Sequence, residues 1–528
     1  MNKLSLPKDG IEGLKENFSS DAISGFIVFL LALPLSLGIA KASEFPPLMG
    51  LLTAIIGGMV VSFIMGSRLT IKGPAAGLIV IVAGSVAEFG GGLTGWHLAL
   101  GAMFVAAIVQ ILFGVLKLGK LADFFPLSAI HGMLAAIGII IILKQIPVLF
   151  DVDPIINAGK GPLELLVNIP NTITNLHING AIIGVISLLV VMGWPYLKKL
   201  SIGKIPAPLV VLLTAIPLAF YLGLENHPLP YELVKIGNLA ENINVNVDFG
   251  GLANPEVFIK YVIMFALVGS LESLLTVKAI DLVDPFKRKS DYNKDLIAVG
   301  MGNTITSVLG GLPMISEVAR SSANVNNGAK TRWANFFHGF FILMFVLLAS
   351  QFIEMIPNAA LAAMLIGVGI KLAHPKEFIH TFQIGKEQLA IFLVTIFFTL
   401  FEDLLVGIAA GIILKILIHM YNGAPFSSLF RADVAVSFNE NEYLVEVERS
   451  AVFTNYLGLK AKLDAIPPTF NVTIDLSRTK LADHSVLENL HNYQHDYEAT
   501  GGTVKIIGLE NHKPYSKHEF SARKLSRS

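Results

Sequence analysis

Three ionisable side chains occur in sequence that is otherwise apolar enough for a membrane. Glu272 lies near the middle of the apolar run 257–277, and Thr276 follows one helical turn later on the same face. Glu317 and Arg320 lie three positions apart in a second such region. Because a charged group inside a bilayer is costly, each is a candidate functional residue. The Glu272 carboxylate and the Thr276 hydroxyl form a candidate site for Na⁺ or for a proton; the alternative is a structural carboxyl that bonds neighbouring helices.

Two short segments that begin at a proline are predicted to be half-helices starting inside the membrane. One begins at Gly73-Pro74 and the other at Leu312-Pro313, at matching places in two halves of the chain. Paired segments of this kind indicate a transporter whose substrate site lies near the middle of the bilayer. The alternative is a pair of ordinary helices kinked by proline.

The first turn of a half-helix can bind an anion. Its backbone N–H groups have no partner within the helix, and the helix dipole is positive there. Two tripeptides supply these groups and an arginine follows the second, so the predicted substrate-binding residues are Ala75, Ala76, Gly77, Ser316, Glu317, Val318 and Arg320. Glu317 and Arg320 could instead pair with each other, since they lie one helical turn apart.

The charges of the ionised side chains near this predicted site do not cancel. Glu272 and Glu317 are acidic and Arg320 is basic, which leaves one net negative charge that would repel an anion. One Na⁺ or H⁺ would neutralise it. If Glu317 faces the site, the sequence predicts cation-coupled anion uptake rather than an uncoupled channel.

The composition is that of a membrane protein. Of the 528 residues, 53% are hydrophobic and 15% are charged, against roughly 25% charged in soluble proteins. The formal net charge is zero, which argues against a nucleic-acid partner. There is no cysteine, so thiolate chemistry and disulfides are excluded. No Walker motif, HExxH motif or nucleophile elbow occurs, so we predict neither an enzyme nor a cofactor, apart from Na⁺ or H⁺ as the coupling ion.

Apolar runs predict an all-α polytopic membrane domain over 22–421. Its fourteen segments are predicted to form a seven-plus-seven inverted repeat that includes the two half-helices. Lysine and arginine concentrate at alternate ends of the spans, among them Arg68 and Lys72, which the positive-inside rule assigns to the cytoplasm. Both termini, including the polar segment 1–21, are therefore predicted to be cytoplasmic, and the protein to lie in the cell (inner) membrane.

The end of the chain has a more charged pattern that predicts a small α/β domain. Three strands and one helix are expected at 443–448, 472–476, 504–508 and 485–499. We expect a linker at 422–432, the domain at 433–512, and a loose, polar, basic tail at 513–528.

Several motifs, in this order along the chain, resemble those of the SulP anion-transporter family. In the membrane part they are Asp21-Ala-Ile-Ser-Gly25, Ala32-Leu-Pro34, Gly73-Pro-Ala-Ala76, Gly269-Ser-Leu-Glu-Ser-Leu-Leu-Thr276, Gly310-Gly-Leu-Pro313 and Ala319-Arg-Ser321. The C-terminal part resembles a STAS domain through Ile474-Asp-Leu-Ser477 and Leu481-Ala-Asp-His-Ser485.

The resemblance implies core and gate domains, a homodimer, an elevator-like movement, and inorganic anions or small carboxylates as substrates. It places Glu272 at an acidic position where some members couple a cation, with Thr276 at a hydroxyl position beside it. Arg320 falls on the family's basic residue of the second half-helix. At the position of Glu317, many members of the family have a small residue instead. His484 stands where bacterial anti-sigma antagonists have a phosphorylated serine, so regulation by phosphorylation is not expected there.

The leading interpretation is secondary active uptake of a small inorganic anion, bicarbonate or sulfate, driven by Na⁺ or H⁺. A nucleobase:cation symporter of the same fold is one alternative, against which Arg320 and the STAS-like part argue. An uncoupled anion channel or uniporter is a second, and a STAS-based scaffold or sensor is a third. The expected partners are the anion, the lipid bilayer and a second copy of the chain.

Overall fold

The computed structural model describes residues 6–123, 125–157, 160–199, 205–224, 233–237, 243–439, 442–498 and 500–526. These residues form two compact units. The first contains residues 6–119 and 137–372, and the second contains residues 120–136 and 373–526. The predicted boundary between membrane and C-terminal parts, at 421, therefore does not coincide with the division into units.

The first unit is built from helices that follow the predicted apolar runs. They are α1 (Gly10–Ala42), α2 (Pro47–Met59), α3 (Ile79–Glu88), α4 (Gly92–Val115), the end of α5 (Leu127–Leu149), α6 (Ile178–Gly193), α7 (Ala207–Tyr221), α8 (Pro255–Val283), α9 (Tyr292–Leu309), α10 (Val318–Asn326), α11 (Trp333–Leu348) and α12 (Asn358–Leu372). Short helices lie at Pro154–Asn157, Pro162–Val167, Ile169–Thr174 and Ser350–Glu354.

The helices of the described chain agree with a multi-pass membrane protein. Seven helical stretches in the described ranges are long and apolar enough to cross a bilayer. With α13 (Lys386–Phe401) and α14 (Leu404–Tyr421) of the second unit, a helix lies in each of the fourteen predicted segments. The arrangement of these segments as an inverted repeat stays a prediction.

Two three-residue strands position the half-helices. Strand β1 (Lys72–Pro74) pairs antiparallel with β2 (Met314–Ser316), and Gly73 lies opposite Ile315. A 3₁₀ turn at Ala76–Leu78 leads from β1 into α3, and α10 follows β2 after a single residue. The two half-helices therefore start from one short ladder, which apolar periodicity did not predict because three-residue strands leave no pattern.

The predicted boundary between the N-terminal segment 1–21 and the membrane part lies inside a helix, and the cytoplasmic assignment of 1–21 stays a prediction. Helix α1 begins at Gly10, so the polar segment 1–21 is largely helical within the described residues, and residues 1–5 lie outside them. Asp21 is fully buried in this helix and accepts hydrogen bonds from the backbone N–H groups of Lys330 at 2.7 Å and Thr331 at 3.1 Å. These partners are distant in sequence, so no local pattern indicates that Asp21 is buried.

The placement of Lys72 at the cytoplasmic surface was wrong. The side chain is fully buried, and its Nζ lies 2.6 Å from Oδ2 of Asp295 in α9. The positive-inside rule counts lysines by their position between apolar runs and does not see a counter-charge supplied by another helix.

Helices α13 and α14 lie in the larger part of the second unit. They are separated at Glu402–Asp403, and Oδ1 of Asp403 caps α14 by accepting the N–H of Val406 at 2.9 Å. The two helices pack closely, because a Cβ on Gly407 or Gly411 would collide with a threonine side chain of α13. A short helix at Pro375–Ile384 precedes them.

The C-terminal part of the second unit is a mixed seven-stranded sheet with helices. Its elements are β3 (Asp433–Asn439), β4 (Glu442–Ala451), α15 (Tyr456–Asp464), β5 (Asn471–Asp475), β6 (Thr479–Ala482), α16 (His484–Glu498), β7 (Thr503–Ile507), β8 (His512–Pro514) and β9 (Arg523–Leu525). The strand order is β7-β5-β4-β6-β9-β8, with β3 also paired to β4. Val445, Ile474 and Leu490 are among the residues of its buried core. The three predicted strands and the predicted helix are present.

The loose tail predicted at 513–528 was wrong for the residues that the structure describes, and residues 527–528 lie outside them. Strands β8 and β9 pair antiparallel, and β9 also pairs with β6 through Leu481 and Lys524. The folded domain therefore continues past the predicted end at 512. Backbone pairing to the sheet edge holds these polar residues, and such pairing gives no apolar signal in the sequence.

Candidate functional site

Arg320 is the largest fully buried side chain in the described part of the chain, with 0% exposure. It lies in the first turn of α10. Its three guanidinium nitrogens have no hydrogen-bond partner among the described residues. Nη1 lies against Gly73 of β1, where a Cβ would collide with it. A buried guanidinium with unpaired donors is suited to hold an oxyanion through two parallel hydrogen bonds.

Glu317 caps the second half-helix. Its Oε2 accepts the backbone N–H of Arg320 at 2.7 Å and lies 3.9 Å from Nε of the same arginine. Carboxylates are favourable at a helix N-terminus, where they accept free N–H groups and complement the helix dipole. Glu317 is therefore both the helix cap and the closest acidic neighbour of Arg320 in the described structure.

At the second half-helix, the backbone N–H groups that lack a partner lie later in the sequence than predicted. The N–H of Ser316 is donated to Oγ of Ser273 at 3.1 Å, and that of Glu317 to the carbonyl of Ile71 at 2.9 Å. Because α10 begins at Val318, the first-turn N–H groups without an intrahelical partner belong to Val318 and Ala319. The chain pairs with β1 before it turns helical, which is why the start lies later than predicted.

At the first half-helix, Ala75, Ala76 and Gly77 are all buried. Gly77 approaches Glu272 so closely that a Cβ would overlap both carboxylate oxygens. This close approach brings the predicted cation-binding residue to the start of the half-helix, and a larger residue at 77 would displace its carboxylate.

Glu272 and Thr276 lie on α8 and both are buried. Glu272 is 8% exposed, and its Oε1 has no hydrogen-bond partner among the described residues. The same holds for Oγ1 of Thr276. These two oxygens lie one helical turn apart and lack hydrogen-bond partners. A proton or a hard cation bound between them would supply the missing interaction. No cluster of three or more metal-binding side chains occurs in the described ranges.

A buried polar network next to these residues was missed from the sequence. Nζ of Lys72 contacts Oδ2 of Asp295 and donates to Oγ of Ser316. Oγ of Ser316 lies 3.2 Å from the same Asp295 oxygen and accepts from Ser273 at 3.1 Å. Oδ1 of Asp295 also accepts from Oγ of Ser67 at 2.8 Å. One feature of the sequence could have indicated this network. Lys72 directly precedes the Gly73-Pro74 break and does not lie in a loop.

Asn303 of α9 fixes the second strand. Its Oδ1 accepts the N–H of Met314 at 2.6 Å, and its Nδ2 donates to Oε1 of Gln110 in α4 at 2.8 Å. These contacts hold the start of the second half-helix between two long helices. His338 of α11 is a further buried polar residue whose ring nitrogens have no partner among the described residues.

Comparison with known proteins gives one family. A sequence profile described as the sulfate permease family matches residues 18–395. The chain is 29% identical over 411 residues to YvdB, a candidate sulfate transporter of Bacillus subtilis, covering 76% of this chain and 73% of YvdB. It is 25% identical over 408 residues to the bicarbonate transporter BicA of a Picosynechococcus species, covering 75% of this chain and 69% of BicA.

The fold is shared with a solved anion-carrier structure that also spans the C-terminal part. The structure of SLC26A9 matches with a TM-score of 0.69 and 16% identity, covering 94% of this chain and 85% of that one. At this identity the likeness concerns the fold alone.

Proposed function

The chain belongs to the sulfate permease family, and on that premise we propose that it takes up a small inorganic anion of the bicarbonate or sulfate class by secondary active transport. The relatives named above are transporters, which agrees with the expectation that the chain is not an enzyme. Membership of this family also argues against a nucleobase:cation symporter.

One observation carries the anion proposal: the fully buried guanidinium of Arg320, whose donors are unpaired among the described residues and which lies against Gly73. We place the anion between the first turns of the two half-helices, where the positive ends of two helix dipoles and the arginine act together. Ala75, Ala76 and Gly77 would line one side, and the amides near Val318 the other. Ser316 and Glu317 would support this site through their side chains.

The coupling proposal rests on charge. Glu272 and Glu317 outweigh Arg320 by one negative charge, and the Lys72–Asp295 pair is neutral as a whole. An anion entering this buried region would therefore meet a net repulsion, which is strong at low dielectric constant. A single Na⁺ or H⁺ bound at Glu272 and Thr276 removes it, so cation and anion would bind together. Both ions fit this argument equally.

We further propose that the protein lies in the cell membrane with both termini cytoplasmic, and that it is a homodimer. In this proposal the half-helices move as part of a core domain past a gate domain, as the family resemblance implies. The C-terminal domain would then act as a STAS-like cytoplasmic domain.

Uptake of labelled bicarbonate and sulfate into proteoliposomes tests the proposal, with and without an inward Na⁺ gradient and at two pH values. We expect accumulation of at least one anion to depend on Na⁺ or on the pH gradient. Accumulation that follows neither gradient would contradict the coupling and favour a channel or uniporter. Absence of uptake for both anions, with protein shown to be inserted, would contradict the substrate class.

The role of Glu272 predicts that Glu272→Gln removes the dependence on the coupling cation. The amide keeps the size of the side chain but cannot bind a proton, and it binds Na⁺ weakly because it carries no charge. We expect uptake to become insensitive to the gradient, measured as the ratio of initial rates with and without it. Glu256→Gln is the matched control, because Glu256 is an exposed carboxylate on the same helix. Retained cation dependence in Glu272→Gln would place the coupling site elsewhere.

A further inference from the structure

Lys72, in the ladder that starts both half-helices, forms a fully buried ion pair with Asp295 of α9. The side chains of Lys72 and Asp295 are 0% and 1% exposed, and Nζ lies 2.6 Å from Oδ2. Lys72 belongs to β1 and faces Ser316 of β2 in the strand register. Oγ of Ser316 contacts both members of the pair. The pair is thus part of the structure that presents the two half-helices to each other.

Each charged group of the proposed site is connected to the pair through one or two intervening residues. Gly73, next to Lys72, is the residue against which Nη1 of Arg320 lies. Ser273, next to Glu272, exchanges hydrogen bonds with Ser316. Ser316 in turn directly precedes Glu317. The electric field of each member of the pair therefore reaches Arg320, Glu272 and Glu317 through buried, poorly screening surroundings.

Stability alone does not account for this pair. Burying two charges costs several kcal/mol for each ion, and apolar residues of similar volume often serve as well or better. Ionisable groups at membrane depth are therefore by default candidates for a role in transport. The surrounding Ser67 and Ser316 satisfy the pair but do not explain why charge is needed there.

We propose that Lys72 and Asp295 are positioning residues coupled to the anion site through their charges: the balance that one coupling cation neutralises is kept only while both charges are present or both are absent. This inference rests on the proposed function. Loss of the Asp295 charge leaves the lysine to attract the anion and to repel the cation. Loss of the Lys72 charge does the opposite. Removal of both charges returns the balance to that of the natural protein.

The test compares Asp295→Asn, Lys72→Met and the double variant in the same proteoliposomes, with the anion KM and the half-activating cation concentration as readouts. At an effective dielectric constant of about 20, a unit charge introduced roughly 12 Å from a bound ion changes the affinity for that ion by about tenfold. We expect Asp295→Asn to lower the anion KM about tenfold and to raise the half-activating cation concentration by a similar factor. Lys72→Met should shift both quantities in the opposite directions, and the double variant should restore both.

Opposite shifts in the two single variants and their cancellation in the double variant would support the inference, because a merely structural role lowers the maximal rate without moving the two affinities apart. Shifts in the same direction, or a change in maximal rate alone, would overturn it. If either single variant fails to insert, the other single variant and the double variant still give the comparison. If wild-type uptake follows no cation, the coupling proposal fails, while opposite shifts of the anion KM still test the pair.

Discussion

Replacing Arg320 by methionine is expected to reduce kcat/KM for anion uptake by at least about a hundredfold. The guanidinium can give the anion two hydrogen bonds, and each bond to a charged group contributes about 1.5–3 kcal/mol. Two such bonds together exceed the roughly 2.8 kcal/mol that corresponds to a hundredfold change. Methionine retains most of the length and volume of the buried side chain but has neither charge nor donors. Arg320→Lys keeps the charge without the planar fork and should lie between the two.

The same substitution should not destabilise the protein. Arg320 buries a charge whose donors are unpaired among the described residues, and such a charge is costly in the folded state. We therefore expect the thermal midpoint of Arg320→Met to equal or exceed that of wild type. Arg478→Met is the control, because that arginine is 69% exposed and pairs with Glu448 on the surface. Unchanged anion KM and kcat in Arg320→Met would show that the anion binds elsewhere.

The helical part of the fold was predictable because the bilayer imposes a length and a composition on each span. Strands β1 and β2 were not, since each is three residues long and is stabilised by a partner in the other half of the chain. Their pairing moved the start of α10 to Val318 and engaged the N–H groups of Ser316 and Glu317. A proline marks where a helix cannot continue, but it does not tell at which later residue the helix begins.

The candidate site was predictable as single residues but not as an arrangement. Glu272 and Arg320 stood out because isolated charges in apolar sequence are rare. Gly77 and Gly73, against which these two side chains lie, belong to the first half-helix and to β1, and no local pattern indicates a contact between segments. Lys72 was misplaced for the same reason, since its counter-charge, Asp295, belongs to a distant helix. Contacts between residues that are far apart in the chain are the part of this site that a single sequence does not indicate.

A second buried ion pair lies within the second unit, between α14 and the start of α16. Nζ of Lys415 lies 3.3 Å from Oδ2 of Asp483 and donates to Oγ of Ser485 at 2.8 Å. Asp483 also accepts the N–H groups of Val486 at 2.7 Å and Phe453 at 2.9 Å. The Ser485 hydroxyl is buried in this contact.

Asp483→Ala is expected to cost about 3–5 kcal/mol of C-terminal domain stability, because it leaves the Lys415 charge buried without its counter-charge. Hydrogen exchange in β4, β5 and β7, followed by mass spectrometry on the full chain, should accelerate by about two to three and a half orders of magnitude. Asp464→Ala is the matched control, because it breaks an aspartate–lysine pair with Lys120 that is partly exposed. That loss should cost no more than about 1 kcal/mol. Equal effects of the two substitutions would contradict the role assigned to the buried pair.

The pH dependence of this effect has a definite sign. Burial alone would raise the pKa of the Asp483 carboxyl, but the charges of Lys415 and His419 and the backbone donors together hold it below its ordinary value. A carboxyl whose pKa is lower in the folded state contributes stability above its unfolded pKa, which is about 4, and loses it as the pH falls through the folded value. The stability difference between wild type and Asp483→Ala should therefore be full at pH 7 and shrink progressively below about pH 4. A difference that stays constant down to pH 3 would mean that Asp483 stabilises the domain by its shape and not by its charge.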